Sequence, residues 1–263
     1  MSLKYITTIS ITLSLLLLTA CGSGGSKTKE AESIEIPQSK AVINNSPLSD
    51  YKIIIYGNSH SSQLGGLLEI IITNQLPSTL VKITTVSGRF LDEIVAVDAN
   101  VDKLKSDNWS HAIFQGQKYS QSGSTDYPTS ATERLISNAK EHKITPILFP
   151  EHPQKGDPAE AKQVYDLHLA ISQKQPSCIA PVGFVWNRVL EIMPSINLHS
   201  ADGNHASYAG NVLTAMTFYQ IITSELTDTI PFIPAIDLTQ QEQALFGQVV
   251  TEVLELYPAC GAK

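Results

Sequence analysis

Positive charge is scarce in this sequence. Lys and Arg number 18 among 263 residues, against 25 Asp and Glu, which gives a formal net charge of −7. The basic residues form no block. Nucleic-acid binding relies on clustered Lys and Arg that neutralise phosphates. The composition therefore argues against DNA or RNA as a partner.

Patterns of metal binding and of membrane spanning are missing as well. The seven His and three Cys form no H-E-x-x-H motif and no Cys-His cluster, so the sequence implies no metal site and no cofactor. No apolar segment is long enough to span a bilayer, and no repeat occurs at the period of a solenoid or a propeller. With 42% hydrophobic residues, the composition is that of a folded globular protein with a buried core.

The first twenty residues carry the pattern of an export signal. Lys4 precedes an apolar run over residues 9–18. That run is too short for a transmembrane helix but suits the hydrophobic region of a secretory signal peptide. We expect residues 1–20 to be removed and the chain to be exported.

The segment Leu18-Thr19-Ala20-Cys21 resembles the lipobox of bacterial lipoproteins, in which the Cys thiol receives a diacylglycerol. The resemblance implies a mature protein that starts at lipidated Cys21 and contacts a membrane only through that anchor. It would lie in the bacterial cell envelope, facing the periplasm or the exterior. Residues 21–50 are rich in Gly, Ser, Lys, Glu, Asn and Pro, as is typical of a flexible tether, so the folded domain is expected over residues 51–263.

Short β-rich apolar runs alternate with longer segments of helical period after the tether. The runs cover 52–56, 80–86, 111–114, 145–149 and 178–182, and the helical segments cover 62–75, 91–104, 131–141, 158–172, 208–226 and 240–256. Parallel strands need crossover connections and both faces of their sheet must be covered, so this alternation predicts one three-layer α/β/α sandwich with a parallel sheet of about five strands. Ligands bind outside the carboxyl ends of such strands.

The segment Gly57-Asn58-Ser59-His60-Ser61 follows the first predicted strand and leads directly into a helical segment. Gly57 permits a tight turn. A Ser at the start of a helix exposes its hydroxyl and its own N–H, which can stabilise a developing negative charge. The same residue types are good helix N-caps, so this segment alone does not distinguish a nucleophile from a cap.

A second polar segment, Asp202-Gly203-Asn204-His205, follows the last predicted strand. A Ser nucleophile needs an imidazole to take its proton, and the imidazole needs an acceptor that fixes its tautomer. An Asx-turn explains Asp202 by itself, and a surface position explains His205 by itself. Neither explains why both are expected on the same rim as Ser59, which favours a Ser-His-Asp arrangement.

These two segments resemble blocks of the SGNH hydrolases, also called the GDSL superfamily. Gly57-Asn58-Ser59 is similar to the Gly-Asp-Ser block, with Asn in the Asp position, and residues 202–210 are similar to the last block. The resemblance covers residues 51 to about 223. It implies the flavodoxin-like SGNH fold, with Ser59 as nucleophile, His205 as general base and Asp202 as the partner of His205.

The resemblance also implies an oxyanion hole formed by Ser59, Gly88 and Gln115. Gly88 stands where the family has an oxyanion Gly after the second strand, although a helix-entry Gly would look the same. The segment Gln115-Gly116-Gln117 stands where the family has an Asn, and it resembles the Gln-Gly-Glu block of the carbohydrate acetylesterase branch. In that branch the Gln amide helps to bind the oxyanion, so Gln115 is the first choice for this donor and Gln117 the second.

Together these features predict a lipid-anchored serine esterase that hydrolyses an ester, plausibly a small acyl group such as acetyl on a carbohydrate. Its partner would be a small-molecule or glycan ester. Two alternatives remain open at this point. One is an acyltransferase that acts on envelope glycan, and the other is a catalytically silent SGNH-like module that binds glycan.

Five further residues have two interpretations each. Glu151 and His152 follow the fourth predicted strand and either line the pocket or lie in a solvated loop. His60 belongs either to the site or to the surface. Cys178 and Cys260 either form a disulfide, as an even number of thiols in an oxidising compartment permits, or remain free.

Overall fold

The computed structural model describes residues 42–261, in which five parallel strands lie between two layers of helices. The predicted signal peptide, the predicted lipidation site Cys21 and most of the predicted tether lie outside this range. The strands are β1 (Asp50–Gly57), β2 (Leu80–Ser87), β3 (His111–Gln115), β4 (Thr145–Phe149) and β5 (Cys178–Ile179). Their order in the sheet is β2-β1-β3-β4-β5, and every neighbouring pair is parallel. The predicted three-layer α/β fold is confirmed.

Eight α-helices lie within residues 42–261, and none of them is long and apolar enough to cross a membrane. They are α1 (Leu64–Gln75), α2 (Leu91–Val95), α3 (Asp98–Asp102), α4 (Ser130–Glu141), α5 (Glu160–Lys174), α6 (Val182–Ile192), α7 (Tyr208–Thr223) and α8 (Gln240–Leu256).

Two elements differ from the sequence-based prediction. The sequence predicts one helix over 91–104, whereas the structure has α2 and α3 separated at Val97, a β-branched residue with extended backbone angles. The sequence also extends the fifth strand to residue 182 and predicts no helix between it and residue 208, whereas α6 begins at Val182 and ends at Ile192. Pro181 has no N–H to donate to a sheet and stands at the N-cap of α6, so it favours the start of a helix.

The side chains of β1 enter two separate cores. Ile53 and Ile55 pack with α1, α6, α7 and α8, whereas Ile54 and Tyr56 pack with α2 to α5. All four side chains are completely buried. A strand covered on both faces requires a continuous apolar run, which the segment from Lys52 to Tyr56 supplies.

Residues 42–49, which the sequence assigns to the tether, lie against the end of the sheet where the strands begin. The Asn45 side-chain amide donates to the carbonyl oxygens of Ser110 (3.0 Å) and Lys143 (2.8 Å), and the Asn45 N–H donates to Thr145 Oγ1 (2.9 Å). Val42 N–H donates to the Cys260 carbonyl oxygen at 3.0 Å. Contacts with the domain therefore begin before Tyr51, because the Asn45 side chain satisfies backbone groups at this end of the sheet.

The connections from β1 fix the position of the candidate site. The chain passes from β1 to β2 on one side and later returns to place β3 on the other side of β1. A crevice forms outside the carboxyl ends of two strands where the connections part in this way. The turns after β1 and β3 lie at that crevice.

A disulfide joins Cys178 of β5 to Cys260 near the end of the described chain, with the Cα atoms 4.1 Å apart and a sequence separation of 82. The same region is held by the Ile179 N–H, which donates to the Ala259 carbonyl oxygen at 2.7 Å. Of the two interpretations of these thiols, the structure contains the disulfide.

Reduction of this disulfide is expected to lower the melting temperature by roughly 10 °C. A loop of this length contributes about 4 kcal/mol in the chain-entropy account, and about 2–4 °C accompanies each kcal/mol in a domain of this size. Calorimetry with and without dithiothreitol measures the change. The Cys178→Ala/Cys260→Ala double variant is the control, and a reductant effect of equal size in that variant would contradict the assignment.

Candidate active site

The turn after β1 places Ser59 at the rim of the sheet. Asn58 is the N-cap of a short 3-10 helical turn, Ser59–Ser61, because its side-chain oxygen accepts the His60 N–H at 3.0 Å. The other side of the Asn58 amide donates to the Arg89 carbonyl oxygen at 2.8 Å. Asn58 therefore performs the capping, and the exposed Ser59 hydroxyl is left for another role.

Gly57 is required at this turn because neighbouring side chains occupy the space of a Cβ atom. A Cβ atom at residue 57 would lie 2.3 Å from Ser61 Oγ and 2.6 Å from Gln115 Oε1. Any larger residue would push Gln115 away from the backbone of the turn.

The structure brings Ser59, His205 and Asp202 together. Ser59 Oγ lies 2.9 Å from His205 Nε2, and His205 Nδ1 lies 2.6 Å from Asp202 Oδ2. Because a carboxylate only accepts, the proton is on Nδ1, and Nε2 is left to accept the Ser59 hydroxyl. This is the geometry in which an imidazole can take the proton of a nucleophilic Ser.

Asp202 is held by hydrogen bonds within its own loop. Its Oδ1 accepts the Ser200 hydroxyl at 2.6 Å and the N–H groups of Asn204 and His205, each at 2.9 Å. These bonds, with that of Ser200 first and the His205 ring next, hold the pKa of the Asp202 carboxyl well below its usual range. Asp202 is therefore ionised across the neutral range, although its side chain is half exposed to solvent.

Gln115 does not face the cleft as an oxyanion donor, contrary to the prediction. Its side chain is completely buried. Gln115 Oε1 accepts the Asn58 N–H at 2.7 Å, and Gln115 Nε2 donates to Glu151 Oε1 at 2.5 Å. The Gln-Gly segment therefore holds the turn that carries Ser59 and does not offer its amide to a substrate.

The other two predicted donors are also engaged. Gly88 lines the cleft, but its N–H donates to the Gly57 carbonyl oxygen at 3.0 Å and so extends the ladder between β1 and β2. The second choice, Gln117, is buried and donates to the carbonyl oxygens of Lys118 and Pro128. Ser59 and Arg89 also line the cleft, and within residues 42–261 their N–H groups donate to no protein acceptor.

His152 is buried at the site and the side chain of Glu151 is largely enclosed there, so the interpretation of a solvated loop is wrong. The His152 ring stacks on Trp186 with ring centroids 3.8 Å apart, and its Nε2 donates to the Asn204 carbonyl oxygen at 3.0 Å. His152 thereby supports the loop that carries His205. The position directly after β4, on the predicted rim, was the sequence signal for both residues.

His60 also belongs to the site. Its ring stacks on that of His205 with centroids 4.8 Å apart, and His60 Nε2 lies 3.9 Å from Glu151 Oε2. Burial, followed by the proximity of His205, lowers the pKa of His60 to about 4, so this ring is neutral at neutral pH. Burial raises the pKa of Glu151 to about 7, against the hydrogen bond from Gln115, which lowers it.

A cleft of about 800 Å³ opens above Ser59. Its outer wall is formed by the segment between β3 and α4, which contributes mainly hydroxyl and amide groups: Tyr119, Ser120, Gln121, Ser122 and Tyr127. The Tyr119 hydroxyl is fixed by donation to Glu160 Oε1 at 2.9 Å. Across the described part of the chain, no three His, Cys, Asp or Glu side chains are arranged to hold a metal ion.

Several solved structures have the same fold. A DUF4886 family protein from Bacteroides uniformis gives a TM-score of 0.64 at 15% identity, covering 80% of this chain and 96% of that chain. A candidate SGNH hydrolase from Slackia heliotrinireducens gives 0.50 at 16% identity, with coverages of 65% and 98%. A catalytic mutant of an acetylxylan esterase from Geobacillus stearothermophilus gives 0.53 at 15% identity, with coverages of 65% and 93%.

No protein-family model and no curated protein matches the sequence. The identities to the solved structures are low, so the likeness concerns the fold. That fold is the SGNH hydrolase fold, as the resemblance in the sequence implied.

The substitution Glu151→Gln is expected to stabilise the protein at alkaline pH. The pKa of Glu151 lies near 7 in the fold, against an ordinary value of 4.5. The folded state therefore buries a charge above pH 7, whereas below pH 4.5 the group is neutral in both states and costs nothing. The variant should melt roughly 5 °C higher than the wild type at about pH 8.5, and at the same temperature at about pH 4.

Thermal melts across this pH range measure the difference. Glu252→Gln on α8 is the matched control, because Glu252 is a surface carboxylate paired with Arg188 at 3.0 Å. A stabilisation by Glu151→Gln that does not change with pH would contradict the burial of a titrating carboxyl at residue 151.

Proposed function

We propose that this chain, which has the SGNH hydrolase fold, is a serine ester hydrolase. The observation that carries the proposal is the continuous hydrogen-bonded series from Ser59 Oγ through the His205 ring to Asp202, with distances of 2.9 and 2.6 Å. A glycan-binding module without catalysis would not need this alignment. The half-exposed Asp202 is ionised and can stabilise a positive charge on His205.

The geometry supports a two-step mechanism. Ser59 Oγ attacks the ester carbonyl while His205 Nε2 accepts the hydroxyl proton, and His205 then donates this proton to the departing alcohol. Water attacks the acyl-Ser59 ester in the second step, again with His205 as the base, and releases the acid. Asp202 holds the tautomer of His205 in both steps.

The oxyanion donors that we propose are the N–H groups of Ser59 and Arg89. Both line the cleft, and neither donates to another group within the described residues. The Arg89 backbone is held in place by Asn58, which donates to its carbonyl oxygen. Preorganised N–H groups of this kind stabilise the tetrahedral intermediate without any rearrangement during the reaction.

For the substrate, we propose a small acyl group, such as acetyl, on a carbohydrate. The support is the cleft wall of hydroxyl and amide side chains over residues 119–127, which suits a polyhydroxylated alcohol better than a fatty one. An acetylxylan esterase shares the fold. The Gln-Gly segment no longer supports this assignment through the oxyanion hole, because Gln115 is turned to Glu151 and Asn58.

For the location, we propose attachment to the bacterial envelope through a lipid on Cys21. The support is the lipobox-like segment that precedes Gly and Ser residues in the sequence. Metabolic labelling with a palmitate analogue should mark the wild-type chain and leave Cys21→Ser unmarked. Equal labelling of both chains would contradict the anchor.

Ser59→Ala and His205→Ala should each remove most of the turnover of an activated acetyl ester. Since both residues serve one step, the double variant should be little slower than either single variant, whereas independent contributions would multiply. Covalent labelling by a fluorophosphonate should disappear in Ser59→Ala. Full turnover by Ser59→Ala would reject the mechanism and leave the binding-module alternative.

Hydrolysis and transfer are distinguished by the acceptor. Acetylated glycan is incubated with the enzyme in the presence and absence of a second, unacetylated glycan. A hydrolase should release acetate at a rate that the second glycan does not change. Transfer of the acetyl group to the second glycan, with a matching decrease in released acetate, would assign the chain as an acyltransferase.

A further inference from the structure

Glu151 takes no part in the mechanism above, yet its carboxylate is connected to the turn of Ser59 through a single side chain. Glu151 Oε1 accepts from Gln115 Nε2, and Gln115 Oε1 accepts the N–H of Asn58, the residue that precedes Ser59. Gln115 is completely buried, so water does not replace either bond. The orientation of the Gln115 amide thus decides whether the turn is held.

The charge of Glu151 restricts the orientation of the Gln115 side-chain amide. An ionised carboxylate only accepts hydrogen bonds, so it requires the NH₂ group of Gln115 on its side and leaves the carbonyl oxygen for the Asn58 N–H. A protonated carboxyl can accept through its carbonyl oxygen or donate through its hydroxyl, so it no longer excludes a reversed Gln115 amide, which is then disfavoured by the Asn58 N–H alone. The reversed amide would place its NH₂ group against the Asn58 N–H, two donors facing each other, and release the turn.

The surroundings of Glu151 place the pKa of its carboxyl near neutral pH. The titratable groups that face it are His60 in the turn after β1, Tyr119 after β3, Glu160 on α5 and His205. Burial raises the pKa of Glu151 to about 7, and the negative charge of Glu160 adds to this effect. The hydrogen bond from Gln115 and the proximity of His205 act in the opposite direction.

We propose that Glu151 is a positioning residue for the nucleophile: ionised, it fixes the Gln115 amide and through it the Asn58–Ser59 turn, and protonated, it no longer enforces that orientation, so the turn is held less firmly. The proposal rests on the proposed function, because its readout is turnover at Ser59. It assigns a pH dependence to the way in which the fold holds the nucleophile.

The test compares kcat/KM and kcat of the wild type and of Glu151→Gln on an activated acetyl ester between about pH 5.5 and pH 8.5. The Gln variant has the same shape and no charge, so it does not select an orientation of Gln115. We expect the variant to be about tenfold slower at the alkaline end, mainly in kcat, since a small misplacement of the nucleophile reduces turnover. The ratio of kcat between the wild type and the variant should approach one at the acid end of this range, with a midpoint near pH 7. The control Glu252→Gln should match the wild type throughout.

A second variant tests the route through Gln115. Gln115→Met removes the amide at nearly the same volume, so adding Glu151→Gln to it should produce no further loss of turnover and no further change of the pH profile. Melting temperatures of all variants verify that they fold. A full additional loss in the double variant would show that Glu151 does not act through Gln115 and would overturn the proposal.

Failure of this inference can be distinguished from failure of the proposed function. A wild-type chain that neither turns over esters nor reacts with a fluorophosphonate would overturn both. If the wild type reacts and the ratio between it and Glu151→Gln is constant across pH, Glu151 has a structural role only, and the assignment of a charge-dependent role is wrong while the esterase stands.

Discussion

The site depends on one constraint, which is the position of β1 between β2 and β3 in a parallel sheet. β1 is buried on both faces, so its register is fixed by two cores at once. Its carboxyl end therefore projects the following turn into the crevice at a fixed height. The side chains that surround Ser59 come from its own turn, from the segments after β2, β3 and β4, and from the loop between α6 and α7.

Close packing at that edge determines which residues the turn can have. Gly57 leaves the space that Gln115 needs to reach the Asn58 N–H, and Asn58 in turn caps the turn and binds the Arg89 carbonyl oxygen. The nucleophile is positioned by neighbours that have no direct role in the chemistry. The opposite end of the sheet is tied down in another way, by the Asn45 side chain and by the disulfide of Cys178.

The site balances solvent exposure against burial. Asp202 and the hydroxyl of Ser59 are accessible to solvent, as a cleft that admits a substrate requires. Behind them lie the buried His152 and the largely enclosed Glu151 and His60. Burial of these groups destabilises their charged forms. The same groups hold the rings and turns of the site in place. The enclosed side chains therefore determine the shape of the site, and the exposed Ser59 and Asp202 determine its reactivity.

The sequence by itself determined the layered α/β fold, since apolar runs of strand length alternate with helical segments and leave few other arrangements. It also determined Ser59, Asp202 and His205 as one group, because their residue types suit one another and the pattern predicts all three at one edge of the sheet, although Asp202 and His205 follow α6 and not a strand. Helix boundaries around Val97 and Pro181 were less predictable, since local backbone preferences there compete with periodicity.

The roles of Gln115, Gly88 and Glu151 were decided only by the tertiary structure. A Gln after a strand has the same local pattern whether its amide faces a cleft or a buried carboxylate. Likewise, Glu151 looks like a loop residue in sequence. Only its contacts with His60 and Gln115 show that it is enclosed. Hydrogen-bond partners that are distant in sequence are set by the assembled sheet, and the identity of a single residue does not encode them.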